Sequence, residues 1–223
     1  MTWVDLGDPV PWPEVRPHRP VRWPNGEVRS LAANTLWPQK SFADIATRRR
    51  TRRSFAALDE AHLGTLLALT CRVRTLGPDS LGFPLSSRPV PSAGAIHPVH
   101  LIVHFPGTAT WHRYDPVGHS LVEVPSALSP AEVRAALDGV LPGGAATLLL
   151  LAAEPGMTFA KYRDACSLVW RDAGVLQGHL AVAAEALDLS FCLLGVTGEA
   201  WVSRLLDQAG LVGVGAAYVG ATP

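Results

Sequence analysis

The sequence predicts a mixed α+β domain, and three observations carry that reading. Helical patterns outnumber strand patterns along the chain. Helices and strands do not alternate regularly, which disfavours a doubly wound parallel sheet. The longest periodic element, from about Phe159 to Leu187, reads as one central helix, because Ala165, Val169, Ala173, Leu176, Leu180, Ala183 and Leu187 recur every three or four positions. Asp164, Arg171 and Glu185 fall off that apolar stripe. At 223 residues the chain can bury one sizeable core.

Each element has its own signal. Residues 1–40 hold many prolines and tryptophans ("PWPEVRPHRPVRWPNGE"), a composition suited to an extended arm whose indole rings lie on apolar surface, on a partner or on a second copy of the chain. The domain proper is expected over 41–223. In "SFADIATRRR" an N-cap at Ser41 with Asp44 three positions on predicts a short helix with a basic end. "DEAHLGTLLALTCRVR" predicts a second helix, with acids in its first turn and leucines near helical spacing. "HLIVHF" at 100–105 reads as a strand, and "TWHRYDPVGHSLVEV" as a hairpin turning at Asp115-Pro116 and Gly118. "SPAEVRAALDG" is a capped helix, "TLLLLAA" a buried strand, "GEAWVSRLLDQAG" a helix closed by Gly210, and "GAAYVGATP" a final strand. Gly174 and Gly178 sit one turn apart in the long helix, where glycine is unfavourable unless another backbone approaches; a second subunit is one candidate.

Composition narrows the function classes. Formal net charge is zero, so no global field draws the chain to nucleic acid or an anionic membrane. The longest apolar run, "AATLLLLAA" at 145–153, is too short to span a bilayer, and the N-terminus carries no export signal. Cys71, Cys166 and Cys192 are odd in number and widely spaced, which fits a reducing cytoplasm better than a disulfide framework. His97, His100 and His104 lack the ligand spacing of a metal site, and none is expected. No phosphate-binding Gly-x-x-x-x-Gly-Lys segment occurs, and "GVGAAYVG" fails the dinucleotide pattern because Tyr218 holds the third glycine position.

Charge is concentrated in one place. "TRRRTRRSF" packs Arg48, Arg49, Arg50, Arg52 and Arg53 into nine positions. A solvated patch complementing a helix dipole is one reading, and a nucleic-acid arm a weaker one. A phosphate site is the third, since guanidinium forks bind phosphate oxygens bidentately and Thr51 adds a hydroxyl.

Three segments together raise the third reading. Arg49-Arg50-Thr51-Arg52-Arg53-Ser54-Phe55 resembles the "R-R-S-x-R-x-F" opening of the nitroreductase-like flavoproteins, with Thr for Ser. "PSAGAIHPVHLIVHF" at 91–105, followed by "RYDPVGHSL", is similar to the corresponding segment of that superfamily's SagB-type branch. "RDAGVLQGHLAVAAEALDLSFCLLG" resembles its long helix and the glycine that approaches the flavin.

The resemblance implies an α+β homodimer with a mainly antiparallel central sheet, a long central helix and FMN in the cleft between subunits. It implies that Arg49, Thr51 and Arg53, with Arg50 adjacent, hold the phosphate and ribityl chain. Pro91, Ser92, Ala93 and Gly94 would approach the flavin from the other subunit, and Leu194 and Gly195 would lie against the ring. Small residues suit that place, because a planar ring is approached closely only where side chains are short. Relatives commonly close with "G-Y-R", where this chain reads Gly220-Ala221-Thr222, so Arg49 and Arg53 would carry more of the phosphate charge.

Activity in that branch is dehydrogenation of an azoline ring in a peptide or carrier-bound intermediate, beside a biosynthetic partner. A Lys-Tyr pair there is associated with the proton transfer, and Lys161-Tyr162 is the match. A solvated lysine over a packed tyrosine is the bland reading of the same pair. Two other functions stay open: an NAD(P)H-dependent nitro, quinone or enone reductase of the same fold, and a non-catalytic scaffold that keeps the fold.

Overall fold

Buried strands set the architecture. The computed structural model describes residues 5–32 and 37–223; the parts of the arm at 1–4 and 33–36 lie outside the described residues. In chain order the elements are strands β1 (Val10–Pro11) and β2 (Val28–Ser30), helices α1 (Phe42–Arg48) and α2 (Glu60–Thr70), and strands β3 (Thr75–Asp79) and β4 (Pro84–Ser87). After a short 3-10 turn (Ala93–Ala95) come β5 (Val99–His104), β6 (Trp111–Asp115), β7 (Ser120–Val124), α3 (Pro130–Asp138), β8 (Thr147–Ala153), α4 (Pro155–Phe159) and β9 (Tyr162–Arg163). The chain closes with α5 (Cys166–Ala186), β10 (Leu189–Leu194), α6 (Glu199–Val202) and β11 (Val212–Ala221).

Seven strands form the main sheet in the order β10-β11-β8-β5-β6-β7-β2, and every pairing in it is antiparallel. β8 sits near the centre, and all seven of its residues are buried. Its side chains alternate: Leu149, Leu151 and Ala153 face a core shared with α2 and α5, while Leu148, Leu150 and Ala152 face one shared with α3 and α6. The uninterrupted apolar run is thus a strand covered on both faces, each leucine contributing about 1.5–3 kcal/mol by leaving water. The result is an α+β fold of three layers.

Most expected elements stand where the residues put them. Ser41 caps α1 by accepting from the Asp44 N–H at 3.1 Å, Asp59 caps α2, and Ser129 caps α3. Two bounds differ. The long helix begins at Cys166 rather than near Phe159, because Tyr162 and Arg163 pair with Pro11 and Val10 and Asp164 adopts a left-handed backbone, φ 55°. The helix expected over 198–210 is a single turn, Glu199–Val202. Beyond it the Leu205 carbonyl accepts from Ser126 Oγ at 2.7 Å while Leu205 and Leu206 are buried, so tertiary contacts replace the helical ladder.

The arm packs on its own chain. Backbone bonds run from Trp12 N to Lys161 O, Arg16 N to Ala160 O and His18 N to Leu81 O, all 2.8–2.9 Å. Glycine is obligatory under it at Gly82 and Gly156, where a Cβ would stand 2.3 Å from the His18 carbonyl and ring respectively. Gly174 and Gly178 behave differently. Apart from the helix's own backbone, no atom of the described residues lies within 4 Å of a Cβ at either, so the described residues supply no close neighbour there. They belong to an exposed stripe of α5 that includes Trp170 and Val175. No helix among the described residues is long and apolar enough to cross a membrane.

Candidate functional site

The basic run divides into an anchor and an outward-facing cluster. After α1 the loop is tied down by Arg52 N donating to Phe191 O at 3.1 Å and by the Ala56–Ala221 bridge. Arg52 turns inward, its guanidinium 3.0 Å from the Glu185 carboxylate and 3.2 Å from Leu189 O. Glu185 is only 2% exposed, although it falls off the apolar stripe of α5. Arg49, Arg50, Thr51 and Arg53 are exposed on the other side of the loop. None of those three arginines pairs with a carboxylate among the described residues.

This loop lies against β10, which carries two further expected positions. The Cys192 thiol donates to Leu193 O at 3.3 Å; burial pushes that thiol's pKa up and the nearby Arg53 guanidinium pulls it back. Two residues on, Leu194 is buried and Gly195 is exposed with open space where a Cβ would be. The chain end is occupied in its own way. Thr222 Oγ1 donates to Asp188 O at 2.8 Å, and a Cβ on Gly220 would stand 2.6 Å from the Ala56 carbonyl.

A second group forms around residues 91–94. Asp172, buried in the first turns of α5, accepts from Ser92 Oγ at 2.6 Å and from Ala93 N at 3.1 Å. Ser92 Oγ in turn accepts from His97 N at 2.9 Å, and His97 Nε2 donates to Ser86 O at 3.0 Å. Gly94, Ala95 and His97 all have positive φ, at 66°, 59° and 52°. Only the glycine adopts this at no steric cost, so Ala95 and His97 are held there at about 1–2 kcal/mol each by the network around them. Burial first, and then repulsion from Arg88, lower the His97 pKa to about 4, which leaves the ring neutral.

Lys161 and Tyr162 complete this group. A Cβ built on Gly94 would stand 3.0 Å from Lys161 Nζ and 3.2 Å from Tyr162 Oη. The pair is half-buried and braced from behind by the arm, through Trp12 N to Lys161 O and the Pro11–Tyr162 strand pair. Thus Pro91–Gly94, Asp172 and Lys161-Tyr162, far apart in sequence, meet at one place. The arginine loop with Leu194 and Gly195 forms the other place. No hydrogen bond or ion pair joins the two among the described residues.

Sequence reasoning missed the structural use of Arg52 and the brace supplied by the arm. It also missed Glu154, 1% exposed, which accepts from His18 Nε2 at 2.7 Å and His100 Nε2 at 3.0 Å. A pairing spanning 136 positions leaves no local signal. No group of three His, Cys, Asp or Glu side chains able to share a metal occurs among the described residues.

No family model matches the chain, and no curated protein matches it in sequence. Solved structures do. A structure assigned as a nitroreductase from Ralstonia eutropha JMP134 superposes with a TM-score of 0.64 at 17% identity, covering 97% of this chain and 99% of its own. The E. coli microcin synthetase McbBCD complex with truncated pro-MccB17 bound gives 0.56 at 17% identity, covering 80% and 72%. A nitroreductase in complex with FMN from Desulfovibrio desulfuricans gives 0.51 at 17% identity, covering 82% and 86%. The chain has the nitroreductase-like α+β fold.

Proposed function

We propose that the chain is an FMN-dependent oxidoreductase that works as a homodimer, and that it dehydrogenates an azoline-like ring in a peptide or carrier-bound intermediate. The observation that carries this reading is the meeting of Gly94 with Lys161 and Tyr162 on a loop fixed by Asp172. A side-chain-free position beside an amine and a phenol is what a flat heterocycle needs if a proton is to leave while it lies against a ring.

The residues fit the cofactor at both ends. Three outward guanidiniums and the Thr51 hydroxyl on one loop offer a phosphate several charge-assisted hydrogen bonds, with no carboxylate at ion-pair distance among the described residues. Gly195 leaves open space for close approach to a plane, and Gly94 carries no side chain to displace Lys161 and Tyr162. The cluster and the Gly94 loop sit apart within one chain, so a shared site needs the loop of a second copy. The exposed α5 stripe of Trp170, Gly174, Val175 and Gly178 supports such an interface, because two glycines one turn apart let a second backbone come close.

Bound FMN supplies a two-electron acceptor. The chain's own residues position the ring, exclude water and take the proton, at Lys161 Nζ or Tyr162 Oη. The structural likeness to McbBCD, a synthetase complex with a peptide bound, supports the peptide substrate and a biosynthetic partner. Anaerobic reduction of the protein-bound flavin tests the direction of the reaction. A model thiazoline should bleach it and NAD(P)H should not; rapid bleaching by NAD(P)H alone would instead make the chain a reductase.

A further inference from the structure

A second cavity, of about 280 Å³, opens where β5 and β6 part company. The two strands are paired only at Ile102–Arg113 and Val103–His112, and the cavity is lined by residues of both strands beyond that register. The arm roofs it with Val21 and Trp23, and Arg88 reaches it from the segment after β4.

Its two arginines lack ion-pair partners among the described residues. Arg113 makes no side-chain hydrogen bond among the described residues, and its Nε is fully buried without a partner. The Trp23 ring lies 5.1 Å from its guanidinium carbon. Arg88 donates from Nε to Ser86 Oγ at 3.0 Å and has no carboxylate within ion-pair distance. Both acids nearby are engaged elsewhere. Glu154 accepts from His18, His100 and the Val21 N–H, and Asp115 accepts from the N–H groups of Val117 and Gly118 in its own turn. Burial pulls both guanidinium pKa values down from their ordinary level. Asp115 acts on both only at longer range; two partly desolvated guanidiniums without a hydrogen-bonded carboxylate are costly, and a bidentate oxyanion is the ligand that satisfies them.

His97, His100 and Tyr114 also line it, and the apolar part of the wall is chiefly Trp23, Phe83, Ile96 and Met157. The volume lies at the small end for ligand pockets. We infer that this cavity binds a small organic carboxylate, with its charged end on Arg88 and Arg113 and its apolar body against Trp23 and Phe83. The inference does not depend on the flavin reading, since none of the residues assigned to the flavin lines this cavity.

Calorimetric titration of the full chain with benzoate tests it, with benzamide as the neutral isostere. Benzoate should bind saturably and benzamide should not. Arg113→Met and Arg88→Met should each weaken benzoate at least tenfold while melting no lower than the parent, because each removes a partly desolvated guanidinium that has no ion-pair partner. The double variant Arg49→Ala, Arg53→Ala should bind benzoate as the parent does. Absence of saturable binding, equal binding of benzamide, loss of binding in the Arg49/Arg53 variant, or a lowered melting temperature in both methionine variants would overturn the assignment. Tighter binding of inorganic phosphate at the same arginines would overturn the carboxylate in favour of a phosphorylated ligand.

Discussion

Gly94 and Lys161 are separated by 67 positions, yet Lys161 Nζ stands 3.0 Å from where a Gly94 side chain would begin. The φ of +66° at Gly94 adds a backbone reason for glycine at the same position. Gly94→Ala should therefore cost about 1 kcal/mol of stability and push Lys161 and Tyr162 out of place. Lys161→Ala and Tyr162→Phe should leave the fold and flavin content intact. Each should slow thiazoline-dependent bleaching, by about 10²- to 10⁴-fold for the group that takes the proton. Stopped-flow absorbance reads this directly; unchanged rates in both would remove the pair from the mechanism.

The five arginines should separate into two phenotypes. Arg52→Met strands the buried Glu185 carboxylate and should destabilise the protein by about 3 kcal/mol, with Glu185→Gln in the same chain restoring most of it. Arg49→Ala and Arg53→Ala should each move apoprotein stability by less than about 0.5 kcal/mol. Each should weaken FMN by roughly 1.5–3 kcal/mol, the worth of a charged hydrogen bond. Denaturant unfolding and flavin titration on the same preparations compare the two quantities. Equal stability losses at positions 49, 52 and 53 would contradict the division.

Acid sensitivity should be traceable to His97. Its pKa is about 4 in the fold against about 6.5 unfolded, so the unfolded chain binds the extra proton first as pH falls. The stabilisation is complete above about pH 6.5 and is lost progressively towards pH 4. For this one ring it amounts to on the order of 3 kcal/mol. Burial lowers the pKa of His100, His104, His112, His119 and His179 in the same sense, so the whole chain should lose stability across this window. His97→Asn tolerates the left-handed backbone and should flatten only its share of the slope, measured by unfolding at pH 7 and pH 5.

Local patterns made much of this fold legible, and long-range pairing hid the rest. Capping at Ser41, Asp59 and Ser129, the period of α5 and the β6–β7 turn are written within a few residues of where they act. β10 carries no strand signal of its own, because "LSFCLL" is a short apolar run directly after the helix and only its pairing with β11 defines it. The β3–β4 hairpin has the weak pattern "TLGPD", and β1 and β2 are short strands in proline-rich sequence. Of the site, the residue types of 91–94, 161–162 and the arginine loop could be read. Asp172 as the hinge-pin of the Gly94 loop, Glu185 beneath Arg52, and the arm behind Lys161 could not, since each depends on a contact across more than seventy positions.

The central claim is that outward-facing Arg49, Arg50 and Arg53 hold the phosphate of a flavin on this chain. An absorbance spectrum of the purified protein across the near ultraviolet and blue, before and after addition of FMN and desalting, tests it most directly. The account predicts flavin bands retained at one FMN per chain, and lost in the Arg49→Ala, Arg53→Ala double variant. A colourless protein that releases all added FMN on desalting, or a double variant that keeps the full complement, would contradict it.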